Sequence, residues 1–235
     1  HQISVFYCTS IFLTNIYIFL FICLIWRSFK FMFNKKTNHP KGSKKLIGAW
    51  ALYDWANSVY SLVISSAVFP IYYSQYVFSQ TNSVEILNLD VNKDTLISTV
   101  SAFSFLLIAF LSPLLSGIAD FVGNKKVFMK FFVYMGSFSC IGLYWFELET
   151  IEISLIFYTL GLIGFWGSLV YYNSYLTDIT YPNQTNKVSA KGYTMGYIGS
   201  VILLLVNLIM INFYETFGFS SEIVAMKSSF AIVGV

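Results

Sequence analysis

From residue 46 onward the chain is a succession of apolar runs separated by short charged loops, at 46–77, 96–119, 127–146, 153–176, 193–214 and 226–235. An α-helix needs about 20 apolar residues to cross a bilayer's hydrocarbon core. The first five runs meet that length and the sixth stops within it. Spans joined by short connections are the hydropathy pattern of a helical membrane bundle.

Composition closes off the alternatives. Hydrophobic residues make up 57% of the 235 and charged residues only 11%. A soluble domain carries about 25% charged residues, and disorder needs low hydrophobicity with high charge. A membrane β-barrel would show strands of roughly ten residues with alternating polarity, and these runs are longer and do not alternate. Cys8, Cys23 and Cys140 lie within apolar stretches, no C-x-x-C pair occurs, and the histidines are His1 and His39. That leaves no pattern for a metal centre or a Cys–His nucleophile. We therefore expect no cofactor, no metal and no enzyme activity.

Charge fixes the sidedness. Arg27, Lys30, Lys35, Lys36, Lys41, Lys44, Lys45, Lys125, Lys126, Lys130, Lys187 and Lys191 fall on one side of the alternating spans, against Lys93 and Lys227 on the other. Glu85, Asp90, Asp94, Glu147, Glu149, Glu152, Glu215 and Glu222 fall with the minority. By the positive-inside rule the tail before residue 46 is cytoplasmic. A basic tail leading into a span also explains these lysines better than nucleic-acid binding, since no basic stripe or recognition motif accompanies them. The expected location is a bacterial inner membrane, with the lipid bilayer as surroundings.

The ends carry separate expectations. The chain starts at His1, and the first Met is Met32, just ahead of Lys35 and Lys36. Residues 1–31 read either as an extra span or as translated upstream sequence absent from the mature protein. Residues 32–45 read as the basic cytoplasmic tail, and 46–235 as the transmembrane region, whose last span is expected to continue past Val235.

Two polar stripes stand out inside the apolar runs. In the first span Asp54, Asn57, Ser58, Ser61 and Ser65 share one face at helical spacing. A lipid-facing carboxylate there would cost about 2.5 kcal/mol or more, so Asp54 is expected to face the bundle. It reads either as a structural acid or as a solute or ion contact. In the fifth span Tyr193, Tyr197, Ser200 and Asn207 form a second stripe beside Gly192, Gly196 and Gly199, small residues that let helices approach closely. Asn207 reads as an interhelical hydrogen-bonding group or as a cavity contact. Between spans two and three, Gly117, Asp120, Gly123, Lys125 and Lys126 form a compact turn motif: glycines for close approach and turning, an acid for a helix N-terminus, and lysines for the phosphates.

That turn motif resembles the loop between the second and third spans of major facilitator superfamily transporters. The segments Ala49-Trp-Ala-Leu-Tyr-Asp-Trp-Ala-Asn-Ser58, Phe69-Pro-Ile-Tyr-Tyr73, Tyr172-Asn-Ser-Tyr175 and Lys191-Gly-Tyr-Thr-Met-Gly-Tyr-Ile-Gly-Ser200 look like the autophagy-related vacuole-effluxer branch. The resemblance covers about residues 45–235. It implies an all-α polytopic membrane protein, here the N-terminal six-helix half of a twelve-span fold with its sixth span truncated. The C-terminal half of the same polypeptide would be its partner. It further implies a secondary active or facilitative transporter working by alternating access on a small polar solute. Amino acids are the candidate solute, because yeast members of the branch are associated with amino-acid export from the vacuole. On this reading Asp54, Asn57, Ser58, Ser61, Tyr197, Ser200 and Asn207 line a solute or ion pathway, and the 117–126 turn is a cytoplasmic gate. The fourth span lacks the Arg of many proton-coupled relatives and the fifth lacks the Gly-Pro of many drug antiporters, which argues against both. The alternative is a non-transporting scaffold, which would not require Asp54 inside a span.

Overall fold

The computed structural model describes residues 40–86, 88–122 and 125–235, without the side chains at 118, 120 and 122. The expectations for residues 1–31 and for the first part of the basic tail lie outside the described residues.

The chain enters its first helix through a local signal. The Ser43 side chain accepts from the Leu46 amide and caps α1, Lys44–Val59. Gly42, at φ +80°, lets its own amide reach back to the Ile179 carbonyl at 2.8 Å. Helical structure then continues to residue 77, but not as one regular α-helix. A π segment, Tyr60–Ala67, follows α1, then α2, Val68–Tyr72, and a second π segment, Tyr73–Val77. The sequence pattern predicts only a kink near Pro70, because periodicity reports which face is apolar and not whether the backbone pairs i→i+4 or i→i+5.

A hairpin of β1, Ser83–Ile86, and β2, Leu89–Asn92, lies where hydropathy predicts only a loop. Its signal is short: apolar residues alternate at 84, 86, 89 and 91, and Asn88 adopts φ 61°, a left-handed turn conformation that Asn tolerates. Then follow α3, Lys93–Val122, with Pro113 inside it, α4, Lys125–Gly142, and a 3-10 turn, Leu143–Trp145. The chain ends with α5, Ile151–Ile179, α6, Thr185–Asn212, and α7, Glu222–Gly234. Among the described residues four helices are long and apolar enough to cross a membrane, at Lys93–Gly117, Lys125–Trp145, Ile151–Ile179 and Thr185–Asn212. The first helical stretch is divided by its π segments.

Helix ends run beyond the expected spans. The fifth starts at Thr185 rather than 193, and the sixth at Glu222 rather than 226. Hydropathy marks only the lipid-buried part of a helix, whereas polar turns such as that carrying the exposed Lys187 and Lys191 continue the helix outside it. At its start α7 is capped by Ser221, with Glu222 in the first turn where the helix dipole favours an acid.

Two tight pairings organise the bundle. α4 packs on α5 where Gly136 meets Gly164, and α1 packs on α6 along Gly192, Gly196 and Gly199. The main core lies where these pairs meet. Phe69 of α2 stacks on Tyr158 at 4.7 Å between ring centroids and meets Phe146 and Phe230 edge-on at 5.1 and 5.8 Å.

Contacts at the two ends follow the alternation read from charge. At one end Lys41 donates to the Thr177 carbonyl at 2.8 Å, and Lys125 pairs with Asp178 at 3.0 Å. At the other, Lys227 pairs with Glu147, and the Tyr72 and Tyr73 hydroxyls donate to the Phe146 and Lys93 carbonyls.

Candidate functional site

Asp54 sits in the middle of α1 and is only 4% exposed. It faces α6 at Gly196, where an added Cβ would lie 2.8 Å from the Asp54 Oδ2 and 2.6 Å from the Ser58 Oγ. Only a glycine lets the α6 backbone come that close. One turn on, the Ser58 hydroxyl donates to the Asp54 Oδ1 at 3.2 Å. Ser200, one turn beyond Gly196, is buried and donates to the Gly196 carbonyl at 2.6 Å. Among the described residues no lysine or arginine pairs with Asp54.

Aromatic rings close one end of this site. Trp50, one turn before Asp54, stacks on Tyr172 of α5 at 4.2 Å with the planes 8° apart, and its ring N–H donates to the Tyr172 carbonyl at 3.0 Å. Tyr53 tilts against the same ring at 5.2 Å. On the adjacent face the Asn57 Oδ1 accepts from the Ser168 hydroxyl at 3.3 Å and from the Tyr53 hydroxyl at 3.4 Å, while the buried Asn57 Nδ2 has no partner. The arrangement therefore offers one buried carboxylate, the four hydroxyls of Tyr53, Ser58, Ser168 and Ser200, and an amide with hydrogen-bonding capacity in reserve. A carboxylate so placed can hold a proton, a cation or a hydrogen-bond donor.

The structure brings together only part of what the sequence pattern groups. Asp54 and Ser58 meet α6 at Gly196, Asn57 meets α5 at Ser168, and Ser200 is buried on α6 one turn beyond Gly196. Ser61 and Ser65 do not join them: both are exposed, because each i→i+5 turn after Val59 holds more residues than an α turn and the following side chains lag behind the α phase. Tyr197 is 73% exposed, and Tyr193 is exposed as well, since the inner face of α6 is taken by Gly192, Gly196, Gly199, Ser200 and Asn207. Periodicity groups Tyr197 with Ser200 because nearly a full turn separates them, but the close glycine seam narrows the buried strip. Asn207 is fully buried, and neither of its side-chain polar atoms has a hydrogen-bond partner.

Sequence reasoning passes over three members of the site. Trp50 and Tyr53 carry a signal, being one turn and one residue from Asp54. Ser168 has none, since a lone serine in an apolar run is ordinary. In the turn motif, Gly117 is exposed with open space where a Cβ would stand, and Lys125 finds Asp178 across the bundle. Lys126 is exposed. Asp120 lies in the last turn of α3, but its side chain and Gly123 lie outside the described part. A groove of about 200 Å³ opens elsewhere, between Ala67, Val68 and Ile71 on the first helical stretch and Leu208 and Ile211 on α6, with Gln75, Asn212 and Glu222 at its rim.

Residues 42–235 match the family described as "Vacuole effluxer Atg22 like". The chain is also 38% identical over 163 residues to the "Uncharacterized MFS-type transporter YxiO" of Bacillus subtilis (strain 168), covering 69% of this chain and 37% of that protein. It thus spans well under half the length of this relative. No solved structure matches it significantly. A family match over nearly the whole described chain, joined to a bundle of long apolar helices, means that the chain belongs to the Atg22-like vacuole-effluxer branch of the major facilitator transporters.

Proposed function

We propose that this chain is the N-terminal six-helix half of a transporter that moves a small polar solute across a membrane by alternating access. The observation that carries the reading is Asp54. A carboxylate buried within an apolar helix and unpaired with a cation is costly, by about 2.5–3.5 kcal/mol at a span centre. A purely structural role would be served as well by an uncharged residue. Asn57, Ser58 and Ser200 extend the polar lining, and the exposed Ser61, Ser65 and Tyr197 extend it toward a second half of the same polypeptide. Amino acids suit such a lining, which offers an acid for an ammonium group and hydroxyls for a carboxylate. The turn at Gly117, Asp120, Gly123, Lys125 and Lys126 serves as the cytoplasmic gate, with the Lys41 end of the bundle facing the cytoplasm. Rocking of one half against the other opens and closes the site.

The test is flux. The full-length polypeptide is reconstituted in proteoliposomes and screened against labelled small polar solutes, amino acids first. Wild type should move at least one solute, and Asp54→Asn should reduce that flux while leaving membrane insertion unchanged. Flux unaltered by Asp54→Asn would demote Asp54 to a structural role. Failure of the wild type with every solute would refute the transport reading.

A further inference from the structure

We propose that the π segment Tyr60–Ala67 is a register switch: on reverting to α-helical pairing it turns Ser61 and Ser65 inward and brings Ser65 onto Asn207. The polar face that starts at Asp54 would then run on along α6.

Three independent observations meet here. The first is the mismatch between sequence and backbone. At α-helical spacing positions 54, 58, 61 and 65 share one azimuth, and Asp54 and Ser58 do face α6 at Gly196. Ser61 and Ser65 fall away from that face where the π segment begins, and Val63 and Ile64 are fully buried in the same stretch.

The second is Asn207, fully buried on α6 with a complete amide and no partner for either polar atom. Such a group costs free energy that a hydrogen-bonding neighbour would recover. α1 and α6 are matched in parallel, Trp50 against Gly192 and Asp54 against Gly196. As many residues separate Asp54 from Ser65 as separate Gly196 from Asn207. Once the segment is α-helical, Ser65 therefore stands level with Asn207 and points at it.

The third is a hinge with room to move. Ala67, where the π segment hands over to α2, has φ −118° and ψ −78°, away from helical values. Three residues on, Pro70 has no N–H to give the ladder. Within the π segment the Ser66 hydroxyl donates to the Ser61 carbonyl at 2.9 Å, a side-chain bond spanning one i→i+5 turn. The groove beside Ala67, Val68 and Ile71 leaves space for the phase change to be absorbed.

The switch rests on the transport reading for its use in the cycle, but the register can be read without any solute. In the full-length polypeptide in liposomes, with native cysteines replaced, Ser65→Cys is alkylated alone and is oxidised together with Asn207→Cys. A disulfide needs the two Cα atoms within about 7 Å and the side chains directed at each other. Pro70→Ala restores the missing N–H and should favour the α register. We expect a Ser65→Cys/Asn207→Cys cross-link whose yield rises in Pro70→Ala, with Ser61→Cys and Ser65→Cys labelling falling by about half as the two registers approach equal population. Ser61→Cys reports the same rotation with Asn207 intact, so loss of folding in the double variant does not blunt the test. Full labelling of both cysteines and no cross-link, with and without Pro70→Ala, would overturn the switch. If solute flux persisted in that case, the transport reading would stand without it.

Discussion

Gly164→Ala is the substitution whose cost follows most directly from the structure. An ideal Cβ at Gly164 would lie 2.5 Å from both the Cα and the N of Gly136, and 2.8 Å from the Phe132 carbonyl oxygen. All three are backbone atoms, so no rotamer can relieve the clash. The α4–α5 pair must separate, and those two helices share the most extensive contact in the bundle. Overpacking that forces backbone shifts costs about 1–3 kcal/mol, and this site belongs at the upper end. For a domain of this size, about 2–4 °C of melting temperature goes with each kcal/mol. The expected loss is therefore about 6–12 °C. Gly48→Ala is the matched control. It lies inside α1 with nothing within 4 Å of the added methyl, so replacing a helical glycine should be neutral or stabilise by up to about 1 kcal/mol. The assay is thermal unfolding of the full-length polypeptide in detergent, followed by intrinsic fluorescence. Equal melting temperatures for Gly164→Ala and wild type would refute the claim that backbone contact at Gly136 sets the α4–α5 spacing.

Other outcomes follow from particular contacts. Tyr72→Phe removes the hydroxyl that donates to the Phe146 carbonyl and should cost about 1–3 kcal/mol by leaving a buried acceptor unpaired, read as a lower melting temperature. Lys125→Ala breaks the partly exposed pair with Asp178; the loss should be about 0.2–1 kcal/mol and should shrink when salt is raised. Asp120→Ala, under the gate proposal, should slow flux of every transported solute alike, whereas a change in solute preference at unchanged rate would count against a gating role. Trp50→Ala should lower stability and also open the Asp54 site, so that Asp54→Cys becomes reactive to maleimide in Trp50→Ala and stays protected with Trp50 in place.

What the sequence makes legible here, and what it hides, divide along physical lines. Hydropathy measures transfer between water and lipid, and so it locates the apolar helices and, with the lysine count, pairs their ends. The contacts of Lys41 with Thr177 and of Lys227 with Glu147 fall where that count places them. The same reasoning puts Asp54 inside the bundle, because a lipid-facing acid is too costly, and it marks Gly196 as a place of close approach. It fails where the determinant is not a transfer energy. Ser61 and Tyr197 sit at the correct α-helical spacing yet lie on the open surface. Ser61 is displaced by a change of backbone register that side-chain periodicity cannot encode, and Tyr197 by a glycine seam so narrow that one residue of angular offset leads outside. The β1–β2 hairpin escapes because four alternating apolar residues in a charged loop are too short a signal. The displacements of Ser61 and Ser65 in the first span share a cause. A helix read as uniform assigns each residue one azimuth, whereas this helix changes its pairing after Val59. Its polar stripe is therefore written in one register while the backbone adopts the other, and Asn207 is left buried without the neighbours that the α-helical spacing would have supplied.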